Sequence, residues 1–238
     1  MGVIKPYLSK VKISFKQRGQ YPQPSVGLII LAVLIFNSFC ILLSIIWVPE
    51  GKTIAYNIGG EGGFVTSISA SYLILSSAFS LAILIVLKEI EHSVTLSWAI
   101  LSFGFVYLAI DELMMIHENT GYIIERYFPI QYFRNWNDVI VIIYGLIALL
   151  IIAFILPAII RFKWIIEMFY IGFLLYGIHT ITDTINEPST DFSIIIEESA
   201  KLFSVSFLFL GTFIGFIGSL KLMTSRKQET RLVYEPES

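Results

Sequence analysis

"VIVIIYGLIALLIIAFILPAII", residues 139–160, runs for 22 residues without one charged side chain. Crossing the hydrocarbon of a bilayer takes about 20 predominantly apolar residues in helical form. The stretch therefore reads as a transmembrane helix, extended back to 138 where Asp138 opens it. Runs of similar length lie at 26–48, 65–87, 94–117, 164–184 and 193–221. The expected fold is all-α: a polytopic integral membrane protein with a six-helix transmembrane bundle over 26–221, a basic arm at 1–25 and a tail at 222–238.

Composition points the same way. Of the 238 residues 56% are hydrophobic and only 14% charged, where a soluble domain carries about 25% charged residues. A net charge of −2 offers no electrostatic basis for nucleic-acid binding. The single cysteine, Cys40, excludes an intramolecular disulfide framework. Nor does the start read as a secretory signal: Lys5, Lys10, Lys12, Lys16 and Arg18 are spread along a polar arm closed by Tyr21-Pro22-Gln23-Pro24. Pro6 stands where an N-myristoylation signal at Gly2 needs serine or threonine.

Lysine and arginine near helix ends favour the cytoplasmic side. The basic arm and the tail, with Lys221, Arg226, Lys227 and Arg231, together with Lys88, Arg161 and Lys163 in two short linkers, set both termini in the cytoplasm of a cell-membrane protein. The opposite loops hold only Lys52, Arg126 and Arg134. One of those loops carries "NIGGEGGF", which reads as loop punctuation. The other, 122–136, sets Tyr122, Tyr127, Phe128, Tyr132, Phe133 and Trp136 beside two arginines, as expected of an interfacial anchor or a lid. Serines in the second helix and Gly211 and Gly215 in the sixth suit close helix packing.

The end of the third helix is the exception to this apolar pattern. "LAIDELMMIHENTG", residues 108–121, carries Asp111, Glu112, His117 and Glu118. His179 and Asp183 close the fifth helix, and Glu197, Glu198 and Lys201 follow the start of the sixth. In the expected topology all three groups fall at the outer face. At about 1.5 Å per residue, Asp111, His179 and Glu198 each lie roughly 9–10 Å from their helix ends. A charge near the middle of a spanning helix costs about 2.5–3.5 kcal/mol on insertion scales, so these groups are expected to face one another, a cavity or a bound ion.

Helical spacing then sorts them. His179 and Asp183, and Glu197 and Lys201, are four apart, while Asp111 and Glu118 are seven apart on one face, which leaves Glu112 and His117 pointing elsewhere. Acids outnumber bases, and imidazole mixed with carboxylate suits zinc, manganese or iron. The expectation is a divalent metal site with Asp111, His179, Asp183 and Glu198 as ligands, Glu112 or Glu197 as general base and Lys201 as charge partner. At the headgroup plane the substrate would be a lipid or lipid-linked group, and the reaction hydrolysis or transfer. Two alternatives stay open: a cation- or proton-coupled transporter using the same acids, and an accessory subunit of a homo-oligomer or larger membrane complex. Few polar residues follow Lys201 in the sixth helix, which counts against a complete path within one chain. "EIEH" (Glu89, Glu91, His92) has a di-iron spacing but occurs once, at a turn, and Asn37 and Cys40 read as packing residues.

"AIDELMMIHE" resembles an Asp-Glu-x4-His-Glu motif of uncharacterised multi-pass membrane proteins of bacteria and archaea, a resemblance that implies no activity. The membrane hydrolases that include alkaline ceramidases hold a metal among transmembrane histidines and an aspartate. This chain departs from them in helix number, in having two histidines at the right depth, and in lacking a paired-histidine motif.

Overall fold

The computed structural model describes residues 4–16, 18, 25–48, 50, 58, 63–91, 94–128, 136–185 and 191–234. The glycine-rich segment around Glu61, His92 and residues 129–135 lie outside them. Among the described residues there are eight helices and no strand: α1 (Ile4–Lys16), α2 (Gly27–Ile46), α3 (Phe64–Lys88), α4 (Thr95–Met114), α5 (Ile116–Tyr127), α6 (Trp136–Ile159), α7 (Ile165–Ile185) and α8 (Asp191–Tyr234). Six of these, all but α1 and α5, are long and apolar enough to cross a membrane. The chain is an all-helical, multi-pass membrane protein.

Two boundaries differ from the hydropathy reading in ways that matter. The third span stops at Met114 instead of reaching 117, because Met115 takes a left-handed backbone (φ 51°, ψ 45°) and a new helix, α5, starts at Ile116. The basic arm is itself helical as α1.

The bundle is built around α8, which packs along α7 and α3, while α3 packs along α4. Burial reaches 61% of the α8 span but only 6% of the α6 span, so α8 is central and α6 peripheral. Lipid tails are as apolar as leucine, so close van der Waals fit and small residues, not hydrophobicity, hold such helices together. Gly211 lies against the Phe169 ring of α7, where an added Cβ would approach the ring to 2.6 Å. At Gly215 a Cβ would meet Ile165 at 2.8 Å and Ile83 at 3.1 Å. Trp98 of α4, fully buried, meets Phe162 edge-on at 5.7 Å between ring centroids. Between α3 and α4, Ser77 Oγ donates to the Ser102 carbonyl at 2.9 Å and Ser102 Oγ donates back to the Ser77 carbonyl at 3.1 Å. Overpacking a close contact costs about 1–3 kcal/mol, and Gly211→Val is expected to lose that much in detergent unfolding. An unchanged unfolding midpoint would show that α7 and α8 are not this close.

One end of the bundle gathers the linkers and α1. Arg161, between α6 and α7, pairs with Glu91, between α3 and α4, and Arg18 pairs with Glu167 in the first turn of α7. Pro157 lies inside α6 and has no N–H to give the carbonyl of Ala153, four residues back. Tyr7 Oη of α1 donates to that carbonyl instead. Asp111, Glu112, His179, Asp183, Glu197, Glu198 and Lys201 lie towards the opposite end, at the close of α4 and α7 and the start of α8.

Candidate functional site

Lys201 is the centre of this cluster. Its Nζ lies 3.0 Å from Glu112 Oε1, reaching over from α4. It also lies 2.7 Å from Glu198 Oε2 and 3.0 Å from Glu198 Oε1, three residues earlier on α8. Glu198 is buried, and Glu112 and Lys201 nearly so. One ammonium shared by two carboxylates leaves an excess negative charge on the triad, which one proton neutralises.

A second acid–base pair stands beside it. Asp111, buried at 6% exposure, accepts the His117 backbone N–H at Oδ1 (2.9 Å), and its Oδ2 lies 2.7 Å from His117 Nδ1. This is why the helix can break at Met115. The first N–H groups of any helix lack intrahelical acceptors and favour a negative charge, and Asp111 supplies both acceptor and charge to the second residue of α5. Asn119 Nδ2 in turn donates to the Met114 carbonyl at the end of α4 (3.1 Å). Glu118 in the first turn of α5 and Arg126 in its last complement the helix dipole. Burial alone would lower the His117 pKa. The hydrogen bond that His117 Nδ1 donates to Asp111 and the charges of Asp111, Glu118 and Glu112 outweigh it, so the imidazole holds its proton above its ordinary range.

Aromatic hydroxyls surround both pairs. The Tyr107 hydroxyl of α4 bonds that of Tyr144 in α6, and the Tyr144 ring lies 6.4 Å from the His117 ring. Tyr176 of α7 stands within the fields of Glu112, Asp111, Lys201 and Asp183, 5.6 Å between centroids from the His179 ring. His179 Nδ1 is 4.0 Å from Glu197 Oε1, too far for a direct hydrogen bond.

α5 lies over the start of α6. Gly121 fits so closely that a Cβ there would come within 1.6 Å of Asn137 Oδ1 and 2.9 Å of the Asn137 backbone nitrogen. Tyr122, Ile123, Tyr127 and Phe128 are exposed, as suits a helix lying in a headgroup layer.

A family described as a domain of unknown function, DUF8692, matches residues 26–214, which include every residue of this cluster. The chain belongs to that family. No curated protein and no solved structure matches it. Within the DUF8692 domain, then, the chemistry has to be read from the side chains. The structure brings Glu112, Glu198 and Lys201 into one triad and sets His179 near Glu197. It sends Asp111 to His117 instead of to the α7 and α8 residues, and leaves Asp183 half-buried four residues beyond His179. Among the described residues no three His, Cys, Asp or Glu side chains stand around a common point that would hold a metal ion. Two orientations differ from strict helical spacing: Glu112 turns into the cluster, and His117 meets Asp111 because the helix breaks between them. Asp111 also lies three residues from the end of α4, about 4.5 Å deep, nearer the boundary than the uninterrupted helix implied. The tyrosines were not singled out in the sequence, although Tyr107 is four residues before Asp111 and Tyr176 three before His179, on the same helix faces.

Proposed function

We propose that this membrane protein is a proton-coupled transporter whose proton-exchange site is the Glu112–Lys201–Glu198 triad, near the outer face, with both termini cytoplasmic. The observation that carries the reading is the sharing of one buried ammonium by two carboxylates. With a proton on one carboxylate the triad is neutral. Without it the site holds one negative charge, which an incoming cation or proton offsets, and that exchange is the basis of coupling. Asp111–His117 and His179–Glu197 serve as relay pairs towards the same end of the bundle, with the Tyr176 ring beside His179. Lysine and arginine flanking the spans at the end bearing the termini support the orientation.

Infrared difference spectra on protein in lipid nanodiscs test the site. Acidification is expected to bring up a protonated-carboxyl C=O band that is absent in Glu198→Gln or Glu112→Gln. Absence of any such band in the wild type would sink the reading.

A second reading is a divalent-metal hydrolase or transferase acting on a lipid or lipid-linked group. The exposed aromatic face of α5 beside the cluster favours a substrate in the headgroup layer. Elemental analysis separates the two. About one equivalent of zinc, manganese or iron, lost in both His179→Ala and Glu198→Ala, would replace the transporter by the metalloenzyme.

A further inference from the structure

With 13 residues α1 is too short to cross a bilayer, and the side of the bundle on which it docks says what surrounds it. Tyr7 donates to the Ala153 carbonyl. Ala153 is exposed and shares a stripe of α6 with Leu146, Leu149 and Leu150, at steps of three and four residues. Those three leucines are exposed too. Such a stripe on a spanning helix faces lipid, so α1 sits against the lipid side of α6 and not over the capped end of the bundle.

The anchors also set its depth. Ala153 is six residues before the end of α6, about 9 Å in from that end. Arg18, just past α1, pairs with Glu167, three residues after Trp164. Lys163 Nζ lies over the Trp164 ring, 5.1 Å from its centroid. Tryptophan and lysine together mark the headgroup level. Held at both ends, α1 lies at the boundary between headgroups and acyl chains.

Its faces are divided accordingly. Tyr7, Val11 and Ser14, at steps of four and three, are turned to the bundle, with Ser14 buried and the other two half-buried. Leu8, Lys12 and Lys16 form the next row, at steps of four, and all are exposed. Ile13 flanks the lysines on their other side. Leu8 is 58% and Ile13 53% exposed. Charge is as one-sided as exposure. Residues 1–25 hold five lysines and arginines and no acid. Of the acids in the nearby linkers and the first turn of α7, Glu167 is taken by Arg18 and Glu91 by Arg161, and Glu89 is exposed. Among the described residues Lys12 and Lys16 pair with no acid.

An occupant of this face has to be apolar and anionic at once. We propose that α1 is a binding surface for anionic phospholipid, with headgroups on Lys12 and Lys16 and upper acyl chains over Leu8 and Ile13. A free anion would leave the leucine and isoleucine in water, and a zwitterionic lipid would leave the lysines uncompensated. Lysine stems lie along apolar surface while the ammonium reaches the polar layer, which the row from Leu8 to Lys16 allows. The surface is separate from the triad at the other end of the bundle, and it stands whether or not that triad exchanges protons.

Native mass spectrometry of the full chain, released from detergent and titrated with phosphatidylglycerol or phosphatidylcholine, reads the bound lipid. Wild type is expected to retain phosphatidylglycerol in preference to phosphatidylcholine. A lysine at an anionic surface is worth about fivefold in binding, so Lys12→Gln/Lys16→Gln should weaken retention by roughly 25-fold. Glutamine is as good a helix former as lysine, and an unchanged thermal transition checks the bundle. Leu8→Ser/Ile13→Ser should also weaken retention. Equal retention of the two lipids, or phosphatidylglycerol binding that survives the lysine variant, overturns the proposal. Displacement of the lipid by inorganic phosphate, with no effect of Leu8→Ser/Ile13→Ser, would replace it by a simple anion site. A dimer that the lysine variant dissolves would assign the face to a second copy of the chain.

Discussion

Lys201→Met is expected to destabilise the folded protein by about 3–5 kcal/mol, the range for breaking a buried ion pair from one side. Methionine fills nearly the volume of the lysine stem, so the loss is electrostatic. It leaves the Glu112 and Glu198 carboxylates near each other with their common cation gone. The check is reversible unfolding in detergent, read by circular dichroism. A triple variant that adds Glu112→Gln and Glu198→Gln removes the uncompensated charge and is expected to recover most of the stability, since a buried ion network replaced as a whole is often near neutral. A single variant within about 1 kcal/mol of wild type, the scale of an exposed pair, would mean that the triad is solvated.

Asp111→Ala should release α5 while leaving the bundle folded. The carboxylate satisfies the backbone and side chain of His117, and removing a buried acceptor costs about 1–3 kcal/mol. Hydrogen exchange within 116–127 should accelerate by roughly 5–150-fold, the kinetic equivalent of that loss, with little change in α3 or α8. Met115→Gly is expected to offset part of the effect, because glycine adopts the left-handed conformation at no steric cost. The same attachment depends on pH. The groups facing His117 are Asp111 and Glu112 from α4, Glu118 on its own helix and Tyr144 from α6. Its folded pKa is raised, so its contribution is complete below the unfolded value of about 6.5 and fades as pH rises through the folded value. Protection of the α5 amides, taken relative to their intrinsic base-catalysed exchange, should therefore fall on the alkaline side. Protection that is flat with pH would remove His117 as the latch.

The six spans were legible because each apolar run is long and the polar interruptions fall at ends. Depth placed the ionisable groups of α4, α7 and α8 towards one end, but not Glu112 beside Lys201, because helical spacing turned Glu112 away from the site. The break at Met115 was not legible. Leu113, Met114, Met115 and Ile116 are sound helix formers with no glycine or proline among them, and the cause is the hydrogen bond that the His117 backbone N–H donates to the Asp111 carboxylate six residues earlier. A hint lay in Asp111 and His117 themselves, six apart, a spacing that an unbroken helix does not bring face to face. Nor does composition say whether crowded acids meet a metal or each other's counter-ions. That depends on a few ångströms of side-chain placement at Lys201. α1 escaped notice because lysines spaced along an arm read as solvated, whereas its docking depends on a carbonyl freed by Pro157, far away in the chain.

That last contact carries a consequence for biogenesis. Tyr7 is synthesised 146 residues before its acceptor, Ala153. At about 5–20 residues per second, α1 waits roughly 7–30 s for Ala153 of α6 to be made, and longer for the Glu167 that pairs with Arg18. Through that interval its tyrosine and apolar side chains face the membrane surface or a holding factor. α1 thus leaves the ribosome well before the helices it docks on, and its docking marks the point at which α6 and α7 are in place.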